Sequence, residues 1–208
     1  MSAEIDLTIA MPSLNEQRNV RQAIRNALQA FDDYALNGEI IVINDGSTDR
    51  TAQIDAEEMA RDRRVRGIHH DTPHGIGASF WEAVDAGNGR AACLLPGDNE
   101  NDPWEIFQYH PLLDMVDIVI PFVFIKGVRP AFRRVLSFVY RSIINATFMV
   151  NFNYTNGTIL WRRSVLREMR LGFRSTGFFF QTDALIRLAR KGYLFAEVPW
   201  TSLALVLL

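Results

Sequence analysis

Short apolar runs alternate with amphipathic stretches through the first part of the chain, and each apolar run ends in a polar, turn-forming segment. Continuous apolar runs are typical of strands that are buried on both faces of a sheet. The predicted strands cover residues 6–11, 39–43, 65–69, 91–95 and 117–122, and the predicted helices between them end near residues 31, 60, 86 and 113. This alternation predicts an α/β fold with a mostly parallel, doubly wound sheet and helices on both faces.

The pattern changes beyond Lys126, where basic and aromatic residues predict a helix over 129–150. One interpretation is a core helix with a solvated basic edge. The other is a helix that lies on a membrane surface or beside an anionic substrate. The remaining predicted elements are strands over 158–161 and 193–198 and helices over 164–169 and 178–191. Because no linker or repeat interrupts the chain, residues 1–208 are expected to form one domain.

Composition adds a few constraints on function. The 208 residues are 48% hydrophobic and 22% charged, and the net charge of −2 gives no reason to expect a nucleic-acid partner. The single cysteine, Cys93, excludes an intrachain disulfide and favours a reducing compartment. The N-terminus lacks the pattern of a signal peptide, and the chain has no apolar run long enough for a complete transmembrane helix. A cytoplasmic location is therefore expected. The apolar end, 203–208, is typical of a chain cut short.

The segment 93–103 is the strongest candidate for chemistry. A buried strand ends there in a Pro-Gly turn, and three acidic residues, Asp98, Glu100 and Asp102, follow it. Carboxylates at the carboxyl end of a strand suit a hard cation such as Mg²⁺ or Mn²⁺, and open α/β sheets bind their ligands at that edge. The alternative is a polar loop in which Asp102 caps a helix that begins at Pro103.

Three histidines, His69, His70 and His74, surround the end of the third predicted strand. Histidine is a common metal ligand, but the spacing of these three residues is irregular. Solvated loop histidines are the favoured interpretation, and a metal site is the alternative.

Four loop motifs follow one another along the chain: Pro-Ser-Leu-Asn-Glu at 12–16, Asn-Asp-Gly-Ser-Thr-Asp at 44–49, Gly-Ile-Gly-Ala at 75–78 and Pro-Gly-Asp-Asn-Glu at 96–100. In this order and spacing, the chain resembles the family 2 glycosyltransferases, in particular the branch with dolichol-phosphate mannosyltransferase and bacterial undecaprenyl-phosphate sugar transferases. The resemblance implies a GT-A fold, which is a Rossmann-like three-layer sandwich. It also implies inverting transfer of a sugar from a nucleotide diphosphate sugar to an acceptor.

The resemblance implies a nucleotide-sugar site on the loops that follow the strands. The residues implied are Pro12, Leu14, Asn15, Glu16, Asn44, Asp45, Gly46, Ser47, Gly75, Gly77 and Asp98. Asn44 and Asp45 match a pair of acids that accept hydrogen bonds from the nucleotide base, and Asn44 keeps an acceptor oxygen without the charge. A UDP- or GDP-linked sugar is the expected donor.

A divalent cation, Mg²⁺ or Mn²⁺, is implied at Asp98 and Glu100. The family's Asp-x-Asp triplet has Pro96 in its first position here, and a carboxylate at Glu100 restores the charge that is lost. Two carboxylates suffice for Mg²⁺ when phosphate oxygens and water complete its coordination. Ile76 stands where many relatives carry Lys or Arg, so more of the diphosphate charge falls to the metal.

Asp183 matches the position of the catalytic base, a carboxylate that takes the proton from an acceptor hydroxyl. The alternative is an acidic residue that is favoured at a helix N-terminus by the macrodipole. The branch implies a polyprenyl phosphate as acceptor. The basic, aromatic helix over 129–150 and the apolar end suggest peripheral contact with the inner face of the membrane.

Two other functions compete with transfer. One is a glycosyltransferase-like module that binds a nucleotide sugar without transferring it, as the departures at Pro96 and Ile76 suggest. The other is a dinucleotide-binding oxidoreductase, which is disfavoured because no Gly-x-Gly-x-x-Gly follows the first strand.

Overall fold

A sheet of seven strands forms the centre of the computed structural model, which describes residues 4–123, 131–155, 157–170 and 175–200. The strands are β1 Leu7–Ser13, β2 Gly38–Asp45, β3 Val65–His70, β4 Ala91–Leu94, β5 Ile118–Val123, β6 Leu160–Arg162 and β7 Phe195–Trp200. Their order across the sheet is β3-β2-β1-β4-β6-β5-β7. Only β6 runs antiparallel to its neighbours β4 and β5, so the described sheet is mostly parallel.

Helices cover both faces of this sheet. They are α1 Val20–Asp33, α2 Thr51–Arg61, α3 Ile76–Ala86, α4 Pro103–Phe107, α5 Ala131–Phe148, α6 Arg163–Arg170 and α7 Phe180–Arg190, and a 3-10 helix spans His110–Asp114. Successive residues of β2 face opposite sides, so that Ile41 and Ile43 join one core cluster and Ile40 and Val42 join the other. Residues of α3 and α7 fill the first cluster, and residues of α1 and α2 fill the second. The predicted three-layer α/β fold is confirmed.

The predicted helix over 103–113 is not continuous. It is interrupted after Phe107, and the 3-10 helix that follows contains Pro111, which has no N–H for an α-helical hydrogen bond. Of the predicted helix over 129–150, Arg129 lies outside the described residues, and so does the apolar end 203–208.

Several of the described exposed side chains of α5 are apolar. Phe132, Leu136, Val139 and Ile143 are 45–76% exposed, and their spacing of three or four residues places them on one face of the helix. Ile144 is buried and joins the core cluster on another side. The side chains of Arg133 and Arg134 lie outside the described ones, so both interpretations of this helix stay predictions. None of the helices within the described ranges is long and apolar enough to cross a membrane.

Candidate functional site

The carboxyl ends of β1, β2 and β4 meet at one edge of the sheet, where the predicted site loops begin. Ser13 at the end of β1 is the register partner of Asn44 in β2. The loop after β4 crosses the end of β1, where the N–H of Gly97 donates to the carbonyl of Pro12 at 3.0 Å. A Cβ at Gly97 would overlap Ser13 Oγ, so the absence of a side chain at Gly97 leaves room for this close crossing.

The first two motif loops are joined by hydrogen bonds. The N–H of Asn15 donates to Ser47 Oγ at 3.0 Å, and Asn15 Oδ1 accepts from the N–H of Thr48 at 2.9 Å. The N–H of Ser47 donates to Asn44 Oδ1 at 3.0 Å. Asn15 has a φ of 58°, a left-handed conformation that Asn adopts more readily than most residues. These bonds show that Asn15, Asn44 and Ser47 shape the loops, and their contacts with a nucleotide stay predictions.

Leu14 and Glu16 flank this junction. The side chain of Leu14 is 44% exposed at the rim, where a ligand can reach it. The N–H of Glu16 donates to Thr51 Oγ1 at 2.8 Å, and its carboxylate accepts from the side chain of Asn19 at 2.8 Å. The backbone of Glu16 therefore ties the first loop to the start of α2.

Three glycines bring the third motif loop against its neighbours. Gly46 has a φ of 80°, and a Cβ there would lie 2.9 Å from the backbone of Pro73. Gly75 has a φ of 94°. The N–H of Gly77 donates to the carbonyl of Thr176 at 2.8 Å, and a Cβ at Gly77 would lie 2.8 Å from the same backbone. The start of α3 is thus packed tightly on the segment that precedes α7.

Asp45 is held by hydrogen bonds from within the chain. Its Oδ1 accepts from His70 Nδ1 at 2.7 Å and from the N–H of His74 at 2.8 Å, and its Oδ2 accepts from the N–H of Gly75 at 2.9 Å. Burial acts to raise the pKa of Asp45, but the hydrogen bonds from His74, His70 and Gly75 outweigh it and hold the pKa below its usual value. The predicted contact between Asp45 and a nucleotide base stays a prediction.

His70 is a residue of β3 and not a solvated loop histidine. Its side chain is only 6% exposed, whereas His69 beside it is exposed. His70 Nε2 lies 2.6 Å from Glu82 Oε2 on α3, so the ring bridges Glu82 and Asp45. Burial acts to lower the pKa of His70, but the two carboxylates outweigh it and raise the pKa. The prediction of a solvated loop residue is wrong for His70 because the alternation of β3 points its ring towards α3.

The acidic loop after β4 contains two carboxylates that face outward and one that caps a helix. Asp98 is half-buried, and its Oδ1 accepts from the N–H of Glu100 at 3.0 Å, while the side chain of Glu100 is exposed. Asn99 between them has a φ of 59°. Asp102 accepts from the N–H of Trp104 at 2.9 Å at the start of α4, which confirms its interpretation as a helix cap.

Asp98 and Glu100 suit a cation that takes most of its ligands from phosphate oxygens and water. Asp98 Oδ2 lies outside the hydrogen bond with Glu100, and Pro96 contributes no side-chain ligand. This loop therefore offers two carboxylates, which suits Mg²⁺ or Mn²⁺ only when phosphate oxygens and water complete the shell. The ligand roles of Asp98 and Glu100 stay predictions.

A cleft of about 220 Å³ opens beside the acidic loop. It is lined by Ile76, Leu94, Pro96, Asn101, Tyr154, Gly157, Thr158, Phe178, Phe180 and Gln181. Gln181 is fixed by two hydrogen bonds, because it accepts from the N–H of Gly157 at 3.1 Å and donates to the carbonyl of the same residue at 2.9 Å. Thr158 donates to Asn101 Oδ1 at 3.1 Å. The cleft thus joins the acidic loop to the start of α7.

Asp183 lies in the first turn of α7 and makes an ion pair. Both of its carboxylate oxygens lie 3.0 Å from Arg187 Nε, one helical turn further on. Two residues correspond to about 200° around a helix, so Asp183 and Gln181 point to opposite sides of α7. Among the described residues, those that line the cleft include Gln181 and not Asp183. The role of Asp183 as a base stays a prediction.

The family model described as glycosyl transferase family 2 matches residues 8–187, which include β1 through most of α7. The chain belongs to glycosyl transferase family 2. This confirms the family expected from the four ordered motifs. In this member of the family, the acidic loop has Pro96 in place of the first Asp, and the cleft beside it contains Gln181.

Two relatives are similar to this chain in sequence, and a solved structure shares its fold. Glycosyltransferase AglD of Haloferax volcanii is 23% identical over 212 residues, covering 95% of this chain and 33% of AglD. Undecaprenyl-phosphate mannosyltransferase of Micrococcus luteus is 26% identical over 206 residues, covering 94% of this chain and 82% of the relative. Mycobacterium tuberculosis glucosyl-3-phosphoglycerate synthase, solved with Mn²⁺, UDP and glucosyl-3-phosphoglycerate, has a TM-score of 0.71 at 18% identity, covering 95% of this chain and 70% of that one. The chain spans about a third of the length of relatives such as AglD.

Two residues of this region were not singled out by the sequence patterns. Glu82 lies within the predicted third helix, and only the packing of α3 on β3 brings it to His70. Gln181 lies at the start of α7, and its pairing with Gly157 joins residues 24 positions apart. Neither residue belongs to a local motif. Only a pattern that links two distant positions, such as 70 with 82 or 157 with 181, could have predicted them from the sequence.

Proposed function

We propose that this chain is the transferase unit of an inverting glycosyltransferase, which moves a sugar from a nucleotide diphosphate sugar to an acceptor. The observation that carries the proposal is the convergence of the four motif loops at the carboxyl edge of the parallel sheet. Gly97 contacts Pro12, Ser47 bonds to Asn15, and Gly46 packs on Pro73 just before Gly75. Open α/β sheets bind their ligands at this edge.

The donor in this proposal is a UDP- or GDP-linked sugar. Asn44 and Asp45 contact the base, and the exposed Leu14 packs against the nucleotide. Asp98 and Glu100 hold Mg²⁺ or Mn²⁺ together with the diphosphate oxygens. When bound, such a cation neutralises the charge that develops on the leaving diphosphate. The complex of glucosyl-3-phosphoglycerate synthase with Mn²⁺ and UDP supports this class of donor and cofactor.

Asp183 is the proposed base for an acceptor hydroxyl. Its ion pair with Arg187 competes for both carboxylate oxygens, so the acceptor has to displace the guanidinium or approach beside it. A phosphate acceptor is already anionic and needs less help from a base. The pairing of Asp183 with Arg187 therefore favours a phosphate over a hydroxyl as the acceptor.

The proposed acceptor is a polyprenyl phosphate, which the name of the Micrococcus luteus relative supports. The exposed apolar stripe of α5 offers a surface for lipid. Tyr140 on this helix donates to Thr182 Oγ1 at 3.4 Å, and Arg141 donates to the carbonyl of Asn153 at 2.7 Å, next to Tyr154 of the cleft. A membrane that contacts α5 would therefore lie beside the cleft. The chain would work from the cytoplasm at the inner face of that membrane.

The release of nucleotide from UDP- and GDP-sugars, with Mg²⁺ or Mn²⁺ and a polyprenyl phosphate, tests this proposal. We expect Asp98→Ala to lower turnover by about 100-fold or more, since it removes a charge that acts on the leaving group. Asp114→Asn is the matched control, because it lies in the 3-10 helix before β5 and thus at the opposite edge of the sheet. Unchanged turnover in Asp98→Ala would contradict the metal role of that residue.

A second function, binding of nucleotide sugar without transfer, is favoured by one set of observations. Pro96 lines the cleft and occupies a position where the family usually has a metal ligand. Ile76 also lines the cleft, at a position where a Lys or Arg side chain would neutralise the diphosphate. Calorimetric binding of UDP or GDP with no turnover on any acceptor tested would support this function over transfer.

A further inference from the structure

Two histidines and a glutamate converge between β3 and α3, beside the third motif loop. One potential ligand atom from each of His70, His74 and Glu82 lies within 4.8 Å of the others. His70 ends β3, His74 lies in the loop that follows, and Glu82 lies in the second turn of α3. The three side chains thus come from three different elements and meet at one point. This cluster is separate from the carboxylates Asp98 and Glu100.

His70 is oriented as metal-binding histidines are. Its Nδ1 lies 2.7 Å from Asp45 Oδ1, which holds a proton on Nδ1, and its Nε2 lies 2.6 Å from Glu82 Oε2, where a metal ion can take the place of the shared proton. A histidine that binds a metal usually donates its other ring N–H to a carboxylate, which fixes the tautomer and the ring orientation. Asp45 is itself held by the N–H groups of His74 and Gly75, so the ring has a rigid support.

The distances from the histidine nitrogens to the oxygens of Glu82 lie on either side of the ligand–ligand distance in a tetrahedral zinc site. Bond lengths of about 2.0–2.1 Å to zinc place neighbouring ligand atoms about 3.3 Å apart. In the structure, His70 Nε2 lies 2.6 Å from one oxygen of Glu82, and His74 Nδ1 lies 3.8 Å from the other. The ring of His74 stacks on that of His70 at 4.0 Å between centroids, so it must rotate to direct Nδ1 at a shared ion. Its side chain is 48% exposed, which leaves room for that rotation.

We propose that His70, His74 and Glu82 bind a zinc ion, with Asp45 as the group that orients His70. Two imidazoles and one carboxylate suit Zn²⁺ and disfavour Mg²⁺, which prefers oxygen ligands. Three protein ligands leave a fourth position for water. The ion would replace the proton that His70 and Glu82 share, and it would tie β3 to α3 next to the glycines of the third loop. This proposal does not depend on glycosyl transfer.

Titration of the metal-free 208-residue chain with ZnCl₂ in a calorimeter tests the proposal. We expect one ion per chain in the presence of excess Mg²⁺, and a rise in the melting temperature when Zn²⁺ is bound. Substitution with Co²⁺ is expected to give the visible absorption of a tetrahedral site. These readouts are independent of turnover, so a failure here and a failure of the proposed transferase activity can be told apart.

The variants His74→Ala and Glu82→Gln are expected to weaken Zn²⁺ binding by roughly 100-fold or more, since each removes a ligand. His69→Ala is the matched control, because it removes an exposed histidine next to His70 and is expected to keep the affinity unchanged. The proposal is overturned if the wild type shows no saturable binding, or if His74→Ala and Glu82→Gln bind as the wild type does. It is equally overturned if His69→Ala weakens binding as much as they do. His70→Ala is avoided because this buried ring also supports the fold.

Discussion

Replacement of Asp55 by Asn is expected to change how the stability of this protein depends on pH. Asp55 lies in α2 and is completely buried, and neither of its carboxylate oxygens has a hydrogen-bond partner among the described residues. Burial, and secondarily the negative charge of Asp49, raises the pKa of Asp55 from 3.8 to about 7. The folded protein therefore holds a proton on this carboxyl over a pH range in which the unfolded chain has lost it.

The magnitude follows from that difference in pKa. Because the folded-state pKa is raised, the contribution of Asp55 to stability is present at acidic pH and is lost as the pH rises from about 4 to about 7. A pKa difference of about three, at about 1.4 kcal/mol for each unit, corresponds to a loss of about 4 kcal/mol. The amide side chain of the Asp55→Asn variant does not ionise in this range, so this loss is expected to be absent from the variant.

Urea unfolding of the wild type and of Asp55→Asn at pH 4.5, 5.5 and 6.5 measures the effect. Between the first and last pH, the free energy of unfolding of the wild type is expected to fall by about 2.5 kcal/mol relative to that of the variant. Other titrating groups, including His70 with its raised pKa, occur in both proteins and cancel in the comparison. Asp114→Asn serves as the control for the loss of one negative charge. Parallel pH profiles for wild type and Asp55→Asn would refute the reasoning.

Two further predictions concern the packing of α3 and the buried carboxylate of Glu39 near the start of β2. We expect Gly77→Ala to lower turnover and the melting temperature, because its Cβ would lie 2.8 Å from the backbone of Thr176; Gly177→Ala is the control, since nothing lies within 4 Å of a Cβ there. We expect Glu39→Gln to lower the free energy of unfolding by about 1.5–3 kcal/mol, because the buried carboxylate accepts from Arg66 at 2.6 Å and from Thr8 at 2.8 Å. A variant at residue 39 that is as stable as the wild type in urea would contradict the second prediction.

The strands and most helices could be predicted from the sequence because their signals are local. The apolar run of β2 and the turn residues after it mark a buried strand and its end without reference to any other part of the chain. The orientation of β6 could not be predicted in this way. It depends on pairing with Cys93 in β4 and Val119 in β5, which are distant in sequence.

The same distinction applies to the site. The loops of the four motifs were predicted because each motif is a short run with turn-forming residues at one strand end. The interactions of individual side chains depend on neighbours from other elements. Asp45 is predicted to contact the nucleotide base, and its side chain accepts a hydrogen bond from His70. Asp183 is predicted to be the catalytic base, and its side chain forms an ion pair with Arg187. Such partners become visible only when the helices are packed on the sheet.

The position of β6 has a consequence for how the chain acquires its structure. Strands β1 to β4 are complete once residue 94 has been made, but β5 cannot join them until the three residues of β6 arrive to fill the gap. Synthesis from the ribosome would therefore produce one half of the sheet early, with β4 as a temporary open edge. Within the described sheet, the strand pairing between the two halves runs through Leu160, Trp161 and Arg162. Leu94 and Thr158, which line the cleft, lie at or next to this seam, so the binding surface is completed only after β6 has joined β4.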